Sequence, residues 1–91
     1  MDFEFDPVKN AKNQEKHGLR CEDVSALSWS TALFRVDTRK DYGEERVNAF
    51  LMGPDGKIYN VVFTERSWHM RFISFRRAGL YERIYYEQTD R

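Results

Sequence analysis

Hydrophobic and polar positions divide the chain into a helical start, an alternating middle and a helical end. "FEF" at Phe3–Phe5 alternates as a short strand does. Asp6 and Pro7 form a helix start: the carboxylate accepts from free amides, and proline suits the first helical position. The helix should run to about His17 and stop at Gly18. Its apolar face is thin, essentially Val8 and Ala11, so neighbours must hold it. Lys9, Asn13 and Lys16 fall on one side at i, i+4, i+7, a cationic stripe. "CEDVSALSW" predicts a second, short helix with Cys21, Val24 and Leu27 or Ser28 inward. Glu22 and Asp23 occupy its first turn, where acidic residues suit the helix dipole.

Strand patterns follow. "TALFRVDTR" alternates, with Ala32, Phe34 and Val36 on one face. "RVNAFLMG" and "KIYNVVFTE" flank the turn "GPDG" at Gly53–Gly56, a hairpin signal. "WHMRFISFR" is apolar on both faces, as a central strand is. Past Arg77 the period changes, and Leu80, Tyr81, Ile84 and Tyr85 form an apolar helical line. Tyr81 and Tyr85 are expected in the core, with Glu82, Arg83 and Tyr86 off that line. The order predicts one α+β domain spanning residues 1–91. It has two N-terminal helices, a twisted antiparallel sheet of about four strands and a C-terminal helix. The Phe3–Phe5 segment would add an edge strand.

Composition narrows the class. With 91 residues and 15% aromatics, a small core is available without staples. The lone Cys21 excludes an intrachain disulfide and a Cys-rich zinc site, and reads as a small buried hydrophobe. No apolar run reaches membrane-spanning length, and the acidic N-terminus has no signal-peptide core. A cytoplasmic protein is expected. Zero net charge argues against a nonspecific nucleic-acid coat. Yet residues 1–45 carry 7 Lys+Arg against 10 Asp+Glu, and residues 46–91 carry 8 against 5. That polarity fits an anionic substrate on one side and a basic partner on another; it is also within chance for a short chain.

Metalloprotease, phosphate-loop and nucleophile-elbow motifs are absent from the sequence, and no carboxylate–histidine cluster has metal-ligand spacing. Neither a metal nor a cofactor is expected. The chemistry concentrates in "RFISFRR", Arg71–Arg77. Strict alternation puts Met70, Phe72, Ser74 and Arg76 on one face and Arg71, Ile73 and Phe75 on the other, with Arg77 at the end. A bulge or strong twist would bring Arg71 and Arg76 together. Arg66 ends the preceding strand. These arginines are either rim cations paired with Glu44, Glu45, Glu65 or Glu82, or a set that grips an RNA phosphate. In the second case they would stabilise the charge that develops when a 2′-OH attacks that phosphate. His17 has the right proton affinity to move a proton, or simply satisfies a helix C-terminus. Glu44 or Glu45 is a candidate base, or an ion-pair partner of Arg39 or Arg46. His69 reads as structural or exposed, and Tyr86 either as a structural residue or as a ring able to stack on a base.

Three blocks together resemble a known family. "FEFDPVKNAKNQEKHGL" is similar to an opening of aromatic–x–aromatic, Asp, Lys, Asn and then Lys-His-Gly. "DTRKDYGEER" resembles an Asp-x-Arg…Tyr-Gly-Glu-x-Arg block. "VVFTERSWHMRFISFRRA", followed by Glu82 and Tyr86, resembles Phe-Thr-x-Arg…Arg-Ile-Ile-Ser-x-Arg-x-Ala…Glu…Tyr. On these blocks, spanning almost the whole chain in order, it is identified as a member of the BrnT family of type II toxins. Phe72 stands where isoleucine is usual and Phe5 where tryptophan is common, both keeping apolar character.

The resemblance implies a RelE-like fold and a ribonuclease that arrests translation by cutting RNA. It implies neutralisation by a BrnA-like antitoxin with a ribbon-helix-helix DNA-binding region. The complex would repress its own operon, with operator DNA met only through the antitoxin. Lys16, His17, Glu44, Arg46, Arg66, Arg71, Ser74, Arg76, Glu82 and Tyr86 carry over as motif positions. The expected catalytic set is His17, Glu44, Arg66, Arg71 and Arg76, and the expected RNA contacts are Lys9, Lys16, Arg46, Arg77 and Tyr86. Two competing readings remain: a non-catalytic module that binds a ribbon-helix-helix protein as co-repressor, and a plain RNA-binding domain with steep salt dependence.

Overall fold

A computed structural model describes residues 2–38, 43–66 and 69–89; the side chains of Asp2, Phe3, Arg66 and His69 lie outside the description. In chain order the elements are β1 (Asp2–Phe5), α1 (Pro7–His17), 3₁₀ turns at Cys21–Ala26 and Trp29–Thr31, β2 (Leu33–Val36), β3 (Val47–Met52), β4 (Ile58–Arg66), β5 (His69–Arg77) and α2 (Leu80–Gln88). The strands form one sheet in the order β1-β5-β4-β3-β2. The α+β class is as the sequence predicts. Strands β2 to β5 are antiparallel, whereas β1 joins β5 in parallel, Phe5 beside Phe72, so the sheet is mixed. The central strand is therefore β4, and β5 is its neighbour. No helix among the described residues is long and apolar enough to cross a membrane.

The start of α1 follows its sequence signals. Asp6 Oδ1 accepts the Val8 amide at 2.8 Å, and Gly18 closes the helix at φ 70°, donating its amide to Gln14 O at 2.7 Å. A left-handed residue there favours glycine. Val8 is exposed, and the only buried residue of α1 is Asn13. Asparagines, rather than apolar packing, hold the helix. Asn10 Oδ1 accepts the Cys21 amide at 2.8 Å, while its Nδ2 donates to Glu22. Asn13 points inward from the stripe it was expected to share with Lys9 and Lys16. Its Nδ2 donates to Leu19 O and Phe75 O, each at 2.9 Å, and its Oδ1 accepts the Phe75 amide at 3.0 Å. Strand β1 ends its pairing at Phe72, so the side-chain amide of Asn13 takes the place of a strand neighbour at Phe75. Unpaired backbone groups in such a buried position are costly.

The expected second helix is a six-residue 3₁₀ turn. Cys21, Val24 and Leu27 recur every third residue, which is the 3₁₀ period, and all three are buried. They cover one face of the sheet with Ala49, Leu51, Val61, Phe63, Phe72 and Phe75. The Gly53–Gly56 hairpin is present: the Gly53 amide donates to Lys57 O at 2.8 Å, and Gly56 takes φ 77°. A side chain on Gly53 would meet Tyr59 Cε2 at 2.6 Å. The Tyr59 ring cannot easily yield, because its hydroxyl donates to Asp55 Oδ2 at 2.5 Å and it packs on Phe75 with centroids 5.5 Å apart. Gly53→Ala should therefore lower stability by about 1–3 kcal/mol in a urea titration.

Helix α2 lies on the other face, and there the predicted line is inverted. Tyr81 is 84% exposed and Leu80 58%, whereas Tyr86 is only 2% exposed. Tyr86 packs with Phe50 and Ile58, and its hydroxyl donates to Thr31 O at 3.1 Å. One tyrosine with an apolar body and a polar tip anchors the helix, a fit that helical periodicity alone does not reveal.

Candidate functional site

One register change sets the site. On β5, Ser74 lies opposite Val62 but Phe72 lies opposite Phe63, so Ile73 is an extra, bulged residue. Strict alternation therefore fails there. Met70, Phe72 and Phe75 enter the core beneath the 3₁₀ turns, while Arg71, Ser74 and Arg76 share the opposite face. The bulge thus brings the two arginines onto one face. They remain separate along the strand, at about 3.3 Å per residue. Arg71 sits between Glu4 of β1 and Thr64 of β4, whereas Arg76 sits beside Asn60.

On that face the strands form a groove of about 380 Å³. Its walls include Arg35 from β2, Arg46 before β3, Asn48 from β3, Asn60 from β4, Ser74 and Arg76 from β5, and Glu82 of α2. Asn60 is fully buried at the floor, donating from Nδ2 to Asn48 Oδ1 at 3.1 Å. Its Oδ1 has no hydrogen-bond partner among the described residues. Arg76 meets Glu82 through two parallel bonds, Nη1 to Oε1 at 2.6 Å and Nη2 to Oε2 at 2.8 Å. Glu82 Oε1 also accepts the Gly79 amide at 2.7 Å, which ties the pair to the first turn of α2.

Two shallower hollows adjoin the groove. One is lined by Lys9, Lys12, Lys16 and His17 of α1, and shares Ile73 and Ser74 with the groove. The other holds Lys16, His17, Arg76 and Arg77 at the end of α1. A cationic path therefore runs from α1 across the bulge into the groove. His17 is partly buried on it, and its imidazole lies below the ordinary value of 6.5. Burial is the main cause, followed by the positive charges of Lys16 and Arg76.

The expected residues fall into distinct places. His17, Lys9, Lys16, Arg46, Arg76 and Arg77 line the groove or its hollows. Glu44 lies elsewhere, in a hollow with Glu45, Thr64 and Glu65 that shares no residue with these. Arg71 is on the groove face but outside its lining. The backbone of Arg66 ends β4; its side chain lies outside the description, as do Arg39 and the side chain of His69. Tyr86 must be corrected as an RNA contact: a ring buried to 2% exposure offers no face to a base. The Cys21 thiol is buried and its pKa is pushed up, chiefly by burial and then by Glu22.

Sequence reasoning missed Arg35 and Lys12. Arg35 lines the groove, its guanidinium 5.4 Å from the Tyr85 ring centre. The signal was present, since Arg35 has opposite strand parity to Phe34 and Val36. Among the described residues, no three His, Cys, Asp or Glu side chains are grouped to hold a metal ion.

Comparison with known proteins places the chain in a family and matches its fold. Residues 5–82 match the family model described as "Ribonuclease toxin, BrnT, of type II toxin-antitoxin system". The chain is similar to the crystal structure of the Brucella abortus ribonuclease toxin BrnT, with a TM-score of 0.67 and 26% identity. That match covers 87% of this chain and 97% of the other. No curated protein matches this chain.

Proposed function

This chain belongs to the BrnT family of ribonuclease toxins of type II toxin–antitoxin systems, and on that premise we propose that its groove cuts RNA by internal attack of a 2′-OH. The observation that carries the reading is the junction at Ser74 and Arg76, where the α1 hollows holding His17 meet a groove that contains Arg35 and Arg46. Lys9, Lys12 and Lys16 guide the RNA backbone. His17, depressed toward its neutral form, takes the 2′-OH proton. The freed oxygen attacks phosphorus, and the P–O bond to the 5′-oxygen breaks. That oxygen takes a proton from water, the hydroxide left behind takes the proton held by His17, and a 2′,3′-cyclic phosphate remains. Arg35, Arg46 and Arg76 stabilise the charge on the phosphoryl oxygens. This set needs no bound ion. Arg71 serves a neighbouring stretch of backbone, and Glu44 has no role at this junction. The protein acts in the cytoplasm and is neutralised by a BrnA-like ribbon-helix-helix antitoxin, whose complex with it represses the operon.

A pH profile tests His17. The rate should fall as pH drops through a midpoint below 6.5, and His17→Gln should abolish that limb. Stability follows the same sign. The folded imidazole binds its proton more weakly than the unfolded one. Its contribution is therefore full above 6.5 and is lost as pH falls through the folded value.

A second reading has one observation in its favour. On the opposite face, Trp29, Phe34, Val36, Val47, Phe63 and Met70 line an apolar hollow of about 740 Å³ that shares only Arg35 and Val36 with the groove. Such a surface suits a protein partner and would serve a non-catalytic co-repressor equally well. Incubating the free protein with RNA in EDTA separates the two: cut products support the nuclease, and their absence at every protein concentration supports the module. Binding with steep salt dependence but no cutting would identify a plain RNA-binding domain.

A further inference from the structure

Arg76 does not meet the groove as an isolated cation. One edge of its guanidinium is taken by both oxygens of Glu82, at 2.6 and 2.8 Å, and Nη1 also donates to Arg77 O at 3.1 Å. The carboxylate is fixed in turn. Glu82 Oε1 accepts the Gly79 amide, and α2 is anchored to the sheet by the buried Tyr86 one turn further on. Both side chains keep about a third of their surface exposed, 34% and 28%, and both line the groove. The pair therefore belongs to the site and is reachable by solvent.

We propose that Glu82 is a positioning residue for RNA cleavage, setting the angle of the Arg76 guanidinium and offsetting its charge. This rests on the reading of the groove as an RNA-cutting site. Two physical consequences follow. A planar fork held along one edge cannot rotate about its stem, so it meets the phosphate in one orientation. With its charge offset, Arg76 adds little to binding of the RNA ground state. It acts when negative charge grows on the phosphoryl oxygens. Glu82 thus favours turnover over tight binding.

The test uses the full chain with Glu82→Gln, Glu82→Ala and Glu82→Asp, a cleavable RNA and a 2′-O-methyl RNA of the same sequence. Glu82→Gln should lower kcat by about 100-fold, as expected when a catalytic group is misplaced. It should also tighten binding of the 2′-O-methyl RNA. Freeing one positive charge should steepen the slope of log affinity against log salt by about 0.7. Glu82→Ala should behave alike, and Glu82→Asp should recover part of kcat. A merely structural role would lower thermal stability and leave the kcat of folded protein and the salt slope unchanged, and that result overturns the proposal. Wild-type protein that cuts while Glu82→Gln and Glu82→Ala match its kcat overturns the assignment of Glu82 alone. Wild-type protein that cuts no RNA overturns the nuclease reading itself, and this assignment with it.

Discussion

Arg76→Ala should slow RNA cleavage by about 100- to 1000-fold, the loss typical of removing one charge-stabilising donor from an active site. Three features make this the largest expected effect on activity. Arg76 lies at the point where the groove meets the hollow of His17. Its carboxylate partner fixes the guanidinium in a single orientation. Its partial exposure means that removal leaves Glu82 solvated rather than stranded, so the fold should survive. Single-turnover rates alongside a thermal melt read both quantities. A guanidinium acting only as a rim ion pair would leave the rate unchanged. Arg76→Lys keeps the charge without the fork, and should restore only part of the loss.

The largest expected effect on stability lies at Asn13, the buried residue of α1. Asn13→Ala should cost about 2–4 kcal/mol, because it strands the amide and carbonyl of Phe75 in a buried position and removes a bond to Leu19 O. For a small domain whose whole stability is about 5–15 kcal/mol, that is a severe loss. Denaturant unfolding measures it directly. The same change should loosen α1 on β5, since the helix buries no apolar residue of its own. The lysine path and His17 would then drift relative to Arg76. A loss below about 0.5 kcal/mol would mean that water replaces the Asn13 bonds and that α1 is held in another way.

The legible parts of the fold came from local rules. Asp6, Pro7 and Gly18 mark α1 because cap chemistry acts within a few residues, and Gly53–Gly56 marks the hairpin for the same reason. Cys21, Val24 and Leu27 mark a short helix in the sequence, and their three-residue spacing is that of the 3₁₀ turn the chain forms. The parallel pairing of β1 could not be read from "FEF", since its partner lies at His69–Phe72 at the far end of the chain.

The site shows the same division. Arginine-rich β5 was legible as a strand; its cations gather on one face of the sheet, and a bulge was one of the two routes that would unite Arg71 and Arg76. That the bulge falls at Ile73 depends on how β5 registers against β4, which no local pattern encodes. Tyr86 and Tyr81 exchanged roles because periodicity fixes a stripe on a helix but not the face it turns inward. Asn13 was read as a surface residue because its partner, Phe75, is 62 positions away. Glu44 follows a motif block but lines a hollow that shares no residue with the groove of Arg46, a separation that sequence neighbourhood does not reveal.

Cleavage in this groove through the RNA's own 2′-OH can be read by incubating the free protein, in EDTA, with an RNA oligonucleotide and with the same oligonucleotide carrying 2′-deoxy residues throughout, then identifying the fragment ends. The RNA alone should be cut, giving a 2′,3′-cyclic phosphate on one fragment and a 5′-hydroxyl on the other. Cleavage of the deoxy strand, or 5′-phosphate ends, would contradict this mechanism, and so would intact RNA at every protein concentration.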